Sequence, residues 1–347
     1  MKITASLLYF GSVLLITSNI YAQSPPNISY KDCGYSKLVK KVTKMYYSID
    51  YGRDGGMKNL EEVEKVTQIF NTEGNIESYE CQSLLDNTWA KSQTIYKNER
   101  LGKEIWTHSN PYLNRIHTYN YDKQGRIAEE KIRLKDGSKS HIKFKYEGSV
   151  LIETEAYICG IQYIKERFYT ANGKLYKETH RQEVPNEADI LTHYYYLEDK
   201  EILSFVAPQS YFYATAYLKD ATDTIEIKFK LIEDSAIQNK LLKGIQRFEK
   251  EAHNDNLPFN LQKYSEQTLQ AYEKNKKELK PYRIVMYLRD ENNNIEAEAE
   301  VDLKTKNIAS IGFFQTELPD GTIIGTTEFL HKKMHLFEAM LEQAKLP

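Results

Sequence analysis

His331 and His335 stand four residues apart in His331-Lys332-Lys333-Met334-His335, with Glu328 and Glu338 close by. Two imidazoles at i and i+4 share one face of a helix and can hold a metal ion together, with Glu338 within reach of the same side. A zinc protease of this spacing needs a glutamate directly after the first histidine as general base, and Lys332 occupies that place. The pair therefore reads as two solvated imidazoles on a surface helix, and neither metal nor cofactor is expected. His117, His141 and His193 recur at similar places before polar turns and are expected to line one face of a sheet. Carboxylates are abundant, among them Glu129, Glu130, Glu153, Glu155, Glu178 and Glu183. Glycoside cleavage would need two of them about 5–10 Å apart across a cleft. Their spacing beside Lys131, Lys143 and Lys177 fits cross-strand ion pairs instead. No G-x-S-x-G, P-loop, dinucleotide fingerprint or EF-hand loop occurs, so no catalytic residue is assigned.

Three cysteines, Cys33, Cys81 and Cys159, leave an odd thiol. No C-x-x-C is present, which argues against a zinc knuckle or a thioredoxin-like pair. Cys33 and Cys81 are close enough in sequence for a disulfide. Cys159, inside Ala156-Tyr157-Ile158-Cys159-Gly160-Ile161, reads as a small buried hydrophobe.

The elements that would position these groups begin after an export signal. Lys2 supplies a positive start, and an apolar run from Leu7 to Ile16 follows. That run is short of the ~20 apolar residues a membrane helix needs and fits a signal peptide of residues 1–22, cut after Ala22. No cysteine flanks it for lipid attachment. The expected location is the periplasm or the exterior, with no membrane-spanning segment after cleavage. Composition is 41% hydrophobic and 28% charged, which excludes wholesale disorder. A net charge of −2 gives no global pull toward nucleic acid or an anionic membrane.

Tyrosine outnumbers phenylalanine 27 to 13 because the middle of the chain repeats. Each unit is an aromatic strand, a polar turn often holding glycine, and a strand rich in Glu and Lys. The copies read Tyr119-Asn120-Tyr121-Asp122-Lys123-Gln124-Gly125-Arg126-Ile127, Phe144-Lys145-Tyr146-Glu147-Gly148-Ser149-Val150, Phe168-Tyr169-Thr170-Ala171-Asn172-Gly173-Lys174-Leu175 and, decayed, Tyr194-Tyr195-Tyr196-Leu197-Glu198-Asp199-Lys200. An earlier relative is Ile69-Phe70-Asn71-Thr72-Glu73-Gly74-Asn75-Ile76. The turn positions 125, 148, 173 and 200 lie 23, 25 and 27 residues apart, a drifting array period. Asn172-Gly173 predicts a two-residue hairpin turn, and Gly125 and Gly148 predict longer ones. A lone hairpin is marginal in water, so the units are expected to stack into an antiparallel sheet.

The unit at 119–127 resembles the YD repeat of Rhs-type secreted proteins, whose pattern runs tyrosine, aspartate, glycine, arginine, leucine or isoleucine. The unit at 168–175 resembles the MORN-like units of envelope and antitoxin-like proteins. The resemblance covers roughly residues 66–206. It implies a β-sheet scaffold or shell that binds, encloses or supports and does not catalyse. Several copies lack the aspartate or arginine, which favours a short open sheet.

The fold expected is therefore mainly β with an α+β C-terminal part, in three units after the signal. Residues 23–65 form a helical and loop segment, with a helix around Ser36–Tyr47 and another within Asn59–Ile69. Residues 66–215 form the hairpin-repeat sheet. Residues 216–347 form an α+β domain with a strand at Thr224–Ile232, helices near 235–248 and 265–279, two hairpins, and a helix over His331–Lys345. Its closing hairpin and helix resemble the C-terminal domain of TonB-like proteins. The function expected is a noncatalytic exported binding or scaffold protein with a protein or glycan partner at the cell envelope. Tyr119, Tyr121, Tyr169, Tyr194 and Tyr196 are its contact candidates. A secreted hydrolase with its site in the C-terminal domain, and an immunity-type or TonB-like accessory protein, are the alternatives.

Overall fold

The computed structural model describes residues 29–31, 35, 37–158, 161–170, 173, 175–183, 190–197, 200–207, 211–219, 224–231, 279–290 and 294–343. Among the described residues, nineteen strands join in one antiparallel sheet. They are β1 (Lys41–Tyr51), β2 (Met57–Phe70), β3 (Ile76–Ser83), β4 (Trp89–Lys97), β5 (Arg100–His108), β6 (Arg115–Tyr121) and β7 (Ile127–Leu134). Next come β8 (Lys139–Glu147), β9 (Val150–Ile158), β10 (Ile161–Tyr169), β11 (Leu175–Glu183), β12 (Ile190–Leu197) and β13 (Lys200–Ala207). The rest are β14 (Tyr211–Lys219), β15 (Thr224–Leu231), β16 (Leu279–Arg289), β17 (Ile295–Asp302), β18 (Asn307–Glu317) and β19 (Ile323–Gly325). A short 3₁₀ turn, Pro111–Leu113, joins β5 to β6, and α1 (His331–Gln343) follows β19. The fold is mostly β, with that one α-helix among the described residues.

Every strand from β1 to β18 pairs with the next, and β1 also pairs with β18. Eighteen strands thus close on themselves, and β19 adds a three-residue flap to the end of β18. Closure removes the free edges that an open sheet would have to protect. The short open sheet expected from the incomplete repeats is therefore corrected to a closed one. Its ladder also runs through residue 215/216, where β14 and β15 pair from Phe212↔Leu231 to Lys219↔Thr224.

The two N-terminal helices are a second correction. Residues 41–51 and 57–70 are strands. Leu38, Val42 and Met45 fit a helical stripe, but Val42, Lys44 and Tyr46 fit a strand face equally well. Hydrogen bonding on both sides of β1, to β2 and β18, decides for the strand. The helices expected near 235–248 and 265–279 lie outside the described residues. The strands and helix expected after 279 are present with shifted ends.

Burial shows which face is inside. On β8, Ser140, Ile142 and Phe144 are buried while Lys139, Lys143 and Lys145 are exposed. On β4, Ala90, Ser92 and Thr94 are buried while Lys91 and Gln93 are exposed. Register carries the buried set from strand to strand, through Thr94↔Glu104, Glu104↔His117, His117↔Ile132 and Ile132↔Ser140. That continuous set is the inner wall. On β18 and β1 the outer face is covered as well. Phe313 and Tyr47 pack with Phe329 there, Tyr47 donates to the Thr327 carbonyl at 2.7 Å, and Met334 and Phe337 of α1 are buried.

Candidate functional site

The repeat places one aromatic residue near the end of each even-numbered strand from β2 to β12, just after a register shift. Bulges fall at Ile69/Phe70, Ile95/Tyr96, Asn120/Tyr121, Lys145/Tyr146, Phe168/Tyr169 and Tyr195/Tyr196. A bulge re-aims the side chain that follows it. Four of these tyrosines donate to a carbonyl in the first two residues of the strand one repeat back. Tyr96 reaches Ile76 at 2.7 Å, Tyr121 reaches Leu101 at 2.7 Å, Tyr146 reaches Ile127 at 3.0 Å and Tyr169 reaches Leu151 at 3.0 Å.

The turn beside Tyr121 shows what the other motif residues do. Asp122 accepts from the N–H groups of Gln124 and Arg126 and pairs with the Arg126 guanidinium at 2.6 Å. Those bonds hold its carboxyl below the usual range against the opposing effect of desolvation. Gly125 sits at φ 82°, where a Cβ is strained, and its N–H closes the turn on the Asp122 carbonyl. Arg126 lies 4.3 Å from the centre of the Tyr146 ring and bonds the Gly148 carbonyl. Tyrosine therefore ties a unit to the one before it, and arginine ties it to the one after.

The Gly125 turn, between Tyr121 and Ile127, is a longer one as expected, but the lengths at Gly173 and Gly148 are exchanged. Gly173 has φ 77° and its N–H bonds the Thr170 carbonyl, inside a five-residue connection between Tyr169 and Leu175. The two-residue turn is Gly148-Ser149, between Glu147 and Val150.

The five candidate tyrosines do not share an exposed face. Tyr119 is 7% exposed on the inner wall, with its hydroxyl 3.3 Å from Glu104 Oε2 and 3.5 Å from Glu130 Oε1. Burial, then the neighbouring Glu130 and Glu104, raises its pKa well above the usual value. Tyr121 and Tyr169 serve the ladder. Tyr194 packs its ring 4.5 Å from His180, and Tyr196 reaches Glu178 at 3.4 Å.

Two ionic clusters lie on the inner wall. In the first, Arg115 Nε donates to His117 Nε2 at 3.0 Å, so His117 is an acceptor there and its Nδ1–H donates to Glu130 Oε1 at 2.5 Å. Burial lowers the Arg115 pKa, opposed by Glu104 and Glu130. Burial and the Arg115 charge lower His108 to about 4. The second cluster centres on Glu178, which meets Lys165 at 2.9 Å, Arg167 at 2.9 Å and His180 at 2.5 Å. Burial alone would raise Glu178, but the His180 hydrogen bond and the Lys165 charge bring it down to about 2.

The first cluster has the groups of an acid–base site without its access. Glu130 is 1% exposed, and Glu130 Oε2, Ser92 Oγ, Thr94 Oγ1 and His108 Nε2 are shut from solvent with no hydrogen-bond partner among the described residues. A general acid or base must reach the proton it moves. The arrangement binds strand to strand. Sequence reading singled out Glu130 and Glu178 but missed Arg115, Lys165 and Arg167. The available signal was parity: Arg115, His117 and Tyr119 alternate on the side where Ile127 and Ile132 place the core.

The remaining candidates are separate. His331 is exposed with its ring edge against Phe329, and His335 Nδ1 lies 2.8 Å from Glu338 Oε2. No group of three or more His, Cys, Asp or Glu converges among the described residues. His117 faces inward, whereas His141 faces outward against Tyr157, which corrects the expected single histidine face. Cys81 is a free, buried thiol, and burial raises its pKa to about 12. Cys33 and Cys159 lie outside the described residues.

No protein-family model matches the chain, and no curated protein does. Among solved structures it is similar to a porin-like protein from Bacteroides uniformis, at 9% identity and a TM-score of 0.37, covering 55% of this chain and 89% of that one. It is also similar to the Tc holotoxin pore of Photorhabdus luminescens, at 8% identity and a TM-score of 0.27, covering 75% of this chain and 15% of that one.

Proposed function

We propose that the chain is an exported, noncatalytic scaffold of the YD-repeat type that works in an aqueous compartment of the cell envelope or outside it. The observation that carries this reading is the ladder of Tyr96, Tyr121, Tyr146 and Tyr169. Each ties its unit to the carbonyl of the previous one, and Asp122, Gly125 and Arg126 each have an architectural role in the turn. The repeat motif is thus accounted for by assembly of a closed wall. With Tyr96, Tyr119, Tyr121, Tyr146 and Tyr169 committed to the wall, a partner meets the outer face, where charged side chains recur along β4, β7, β8 and β9. A depression between β7, β8 and β9 is lined there by Glu129, Lys143, Lys145, Glu153 and Glu155. Charges at such positions cost ~2–4 kcal/mol each for Lys or Arg at a bilayer midplane, which disfavours a lipid-facing wall. No helix among the described residues is long and apolar enough to cross a membrane. The partner class is a protein or glycan, and no nucleic acid or cofactor is invoked.

Export is tested by expressing the full chain and sequencing the N-terminus of the protein recovered without detergent. It should begin at Gln23. Recovery of intact Met1 in a detergent-requiring membrane fraction would overturn the reading.

A further inference from the structure

We infer that the outer wall of β7 and β8 docks a linear acidic polysaccharide. The charge of this chain is unevenly placed. Residues 89–147, which span β4 to β8, hold thirteen Lys and Arg against seven Asp and Glu, a net +6 in a chain of net −2. Two of those carboxylates, Glu104 and Glu130, are on the inner wall, so the outer surface is more basic still.

Register concentrates the excess. Arg133 stands directly across from Lys139, and Lys131 directly across from His141. Like charges facing each other across strands destabilise a sheet. Arg133, Lys139 and Lys135 are exposed and form no ion pair among the described residues. The turn carboxylate, Asp136, is bonded back to the Ser138 N–H at 2.8 Å. Lys131 pairs with Glu129 at 3.2 Å, but its side chain is 58% exposed. Such surface pairs contribute ~0–1 kcal/mol and exchange easily for another anion.

Spacing points to the occupant. Side chains on one strand face repeat about every 6.6 Å and neighbouring strands lie about 4.8 Å apart. Arg133, Lys139 and Lys131 therefore form a basic patch across the two strands, with Lys135 in the turn that joins them. A carboxylated glycan chain fits such a surface. Duplex DNA is read by an element that enters a groove, and single strands by stacked aromatics. The outer wall here offers no element that enters a groove, and its His141–Tyr157 ring pair lies at the Lys131 edge of the patch, away from Arg133 and Lys139. The site rests on the reading of the outer wall as the binding face of an exported scaffold, which N-terminal sequencing tests independently.

Polygalacturonate is the probe, with neutral dextran and a DNA duplex as comparators, and binding to the full-length mature chain is the readout. Polygalacturonate should bind and dextran should not. Affinity should fall by roughly 50-fold between about 50 and 200 mM salt, as expected for about four neutralised cations on a flexible polyanion. Lys139→Glu places an acid opposite Arg133, so the variant keeps its fold, and binding should fall at least about tenfold. Arg181→Glu on β11 should leave binding unchanged. Unaltered affinity in Lys139→Glu, equal loss in Arg181→Glu, or no polygalacturonate binding would each overturn the site. Tighter binding of the duplex at the same salt would overturn the polysaccharide assignment.

Discussion

Tyr121 shows how a single side chain can look like a ligand contact and be a tie. Its hydroxyl reaches the Leu101 carbonyl at 2.7 Å, and Arg100 lies 5.3 Å from its ring centre. Tyr121→Phe keeps the ring and removes the bond, so stability should fall by ~0.5–1.5 kcal/mol. Urea unfolding measures this, and an unchanged midpoint would show that the ladder bond contributes nothing. Glu178 gives a pH prediction. Its folded pKa of about 2 lies below the unfolded value of ~4.3, so the unfolded chain binds the extra proton first. The contribution of Glu178 is fully present above about pH 4–5 and is lost as pH falls toward 2. Lys165, Arg167 and His180 then face a neutral carboxyl. Glu178→Gln should flatten the loss of stability between about pH 5 and 2, at a cost near neutrality of about 3 kcal/mol. An identical acid profile in the variant would place the acid sensitivity elsewhere.

Turns set the geometry of each hairpin, and their conformation tests the repeat. Gly173 has φ 77°, and a Cβ there would meet nothing within 4 Å, so a substitution is strained by the backbone alone. Gly173→Val should destabilise by ~1–3 kcal/mol. Hydrogen exchange should show the loosening around Tyr146 and Tyr195 before the β16–β18 region. Asn98 and Glu99 occupy the two-residue turn between β4 and β5 with φ 51° and 63°. Glutamate pays steric strain there that glycine avoids, so Glu99→Gly should raise stability by up to ~1 kcal/mol. A lower midpoint for that variant would mean the side chain has a compensating contact. The hairpin units were legible because turn glycines and aromatic strand ends repeat at a nearly fixed period. The turn lengths were not, because Asn172-Gly173 suits either a two-residue turn or the end of a longer one, and only pairing of Tyr169 with Leu175 decides. Residues 41–70 were misread for a related reason. Their apolar residues fit a period of 3.6 as well as 2, and the choice depends on partners as distant as Ser310–Glu317.

Closure belongs to the whole chain, since β1 pairs with β18 from Lys41↔Glu317 to Ser48↔Ser310. Nothing local specifies that seam, so no repeat signal reveals it, and the candidate tyrosines looked exposed for want of it. Joining the ends costs loop-closure entropy that grows only slowly with length, but the pairing must wait until both strands are in place. Before then β1 and β18 are free edges that invite pairing with another chain. A mature chain shortened to begin at Gly52 loses β1 and leaves β2 and β18 as permanently open edges. It also removes Tyr47 from Phe313 and Phe329, uncovering the outer face near α1. The shortened chain should therefore form dimers or larger species by light scattering, while the intact chain stays monomeric at the same concentration. Hydrogen exchange should show lost protection in β2, β17 and β18 and retained protection in β6 to β9, whose neighbours are unchanged. A monomeric shortened chain with protected β18 amides would mean that the ladder holds without its seam, and that each stretch of repeats is stable by itself.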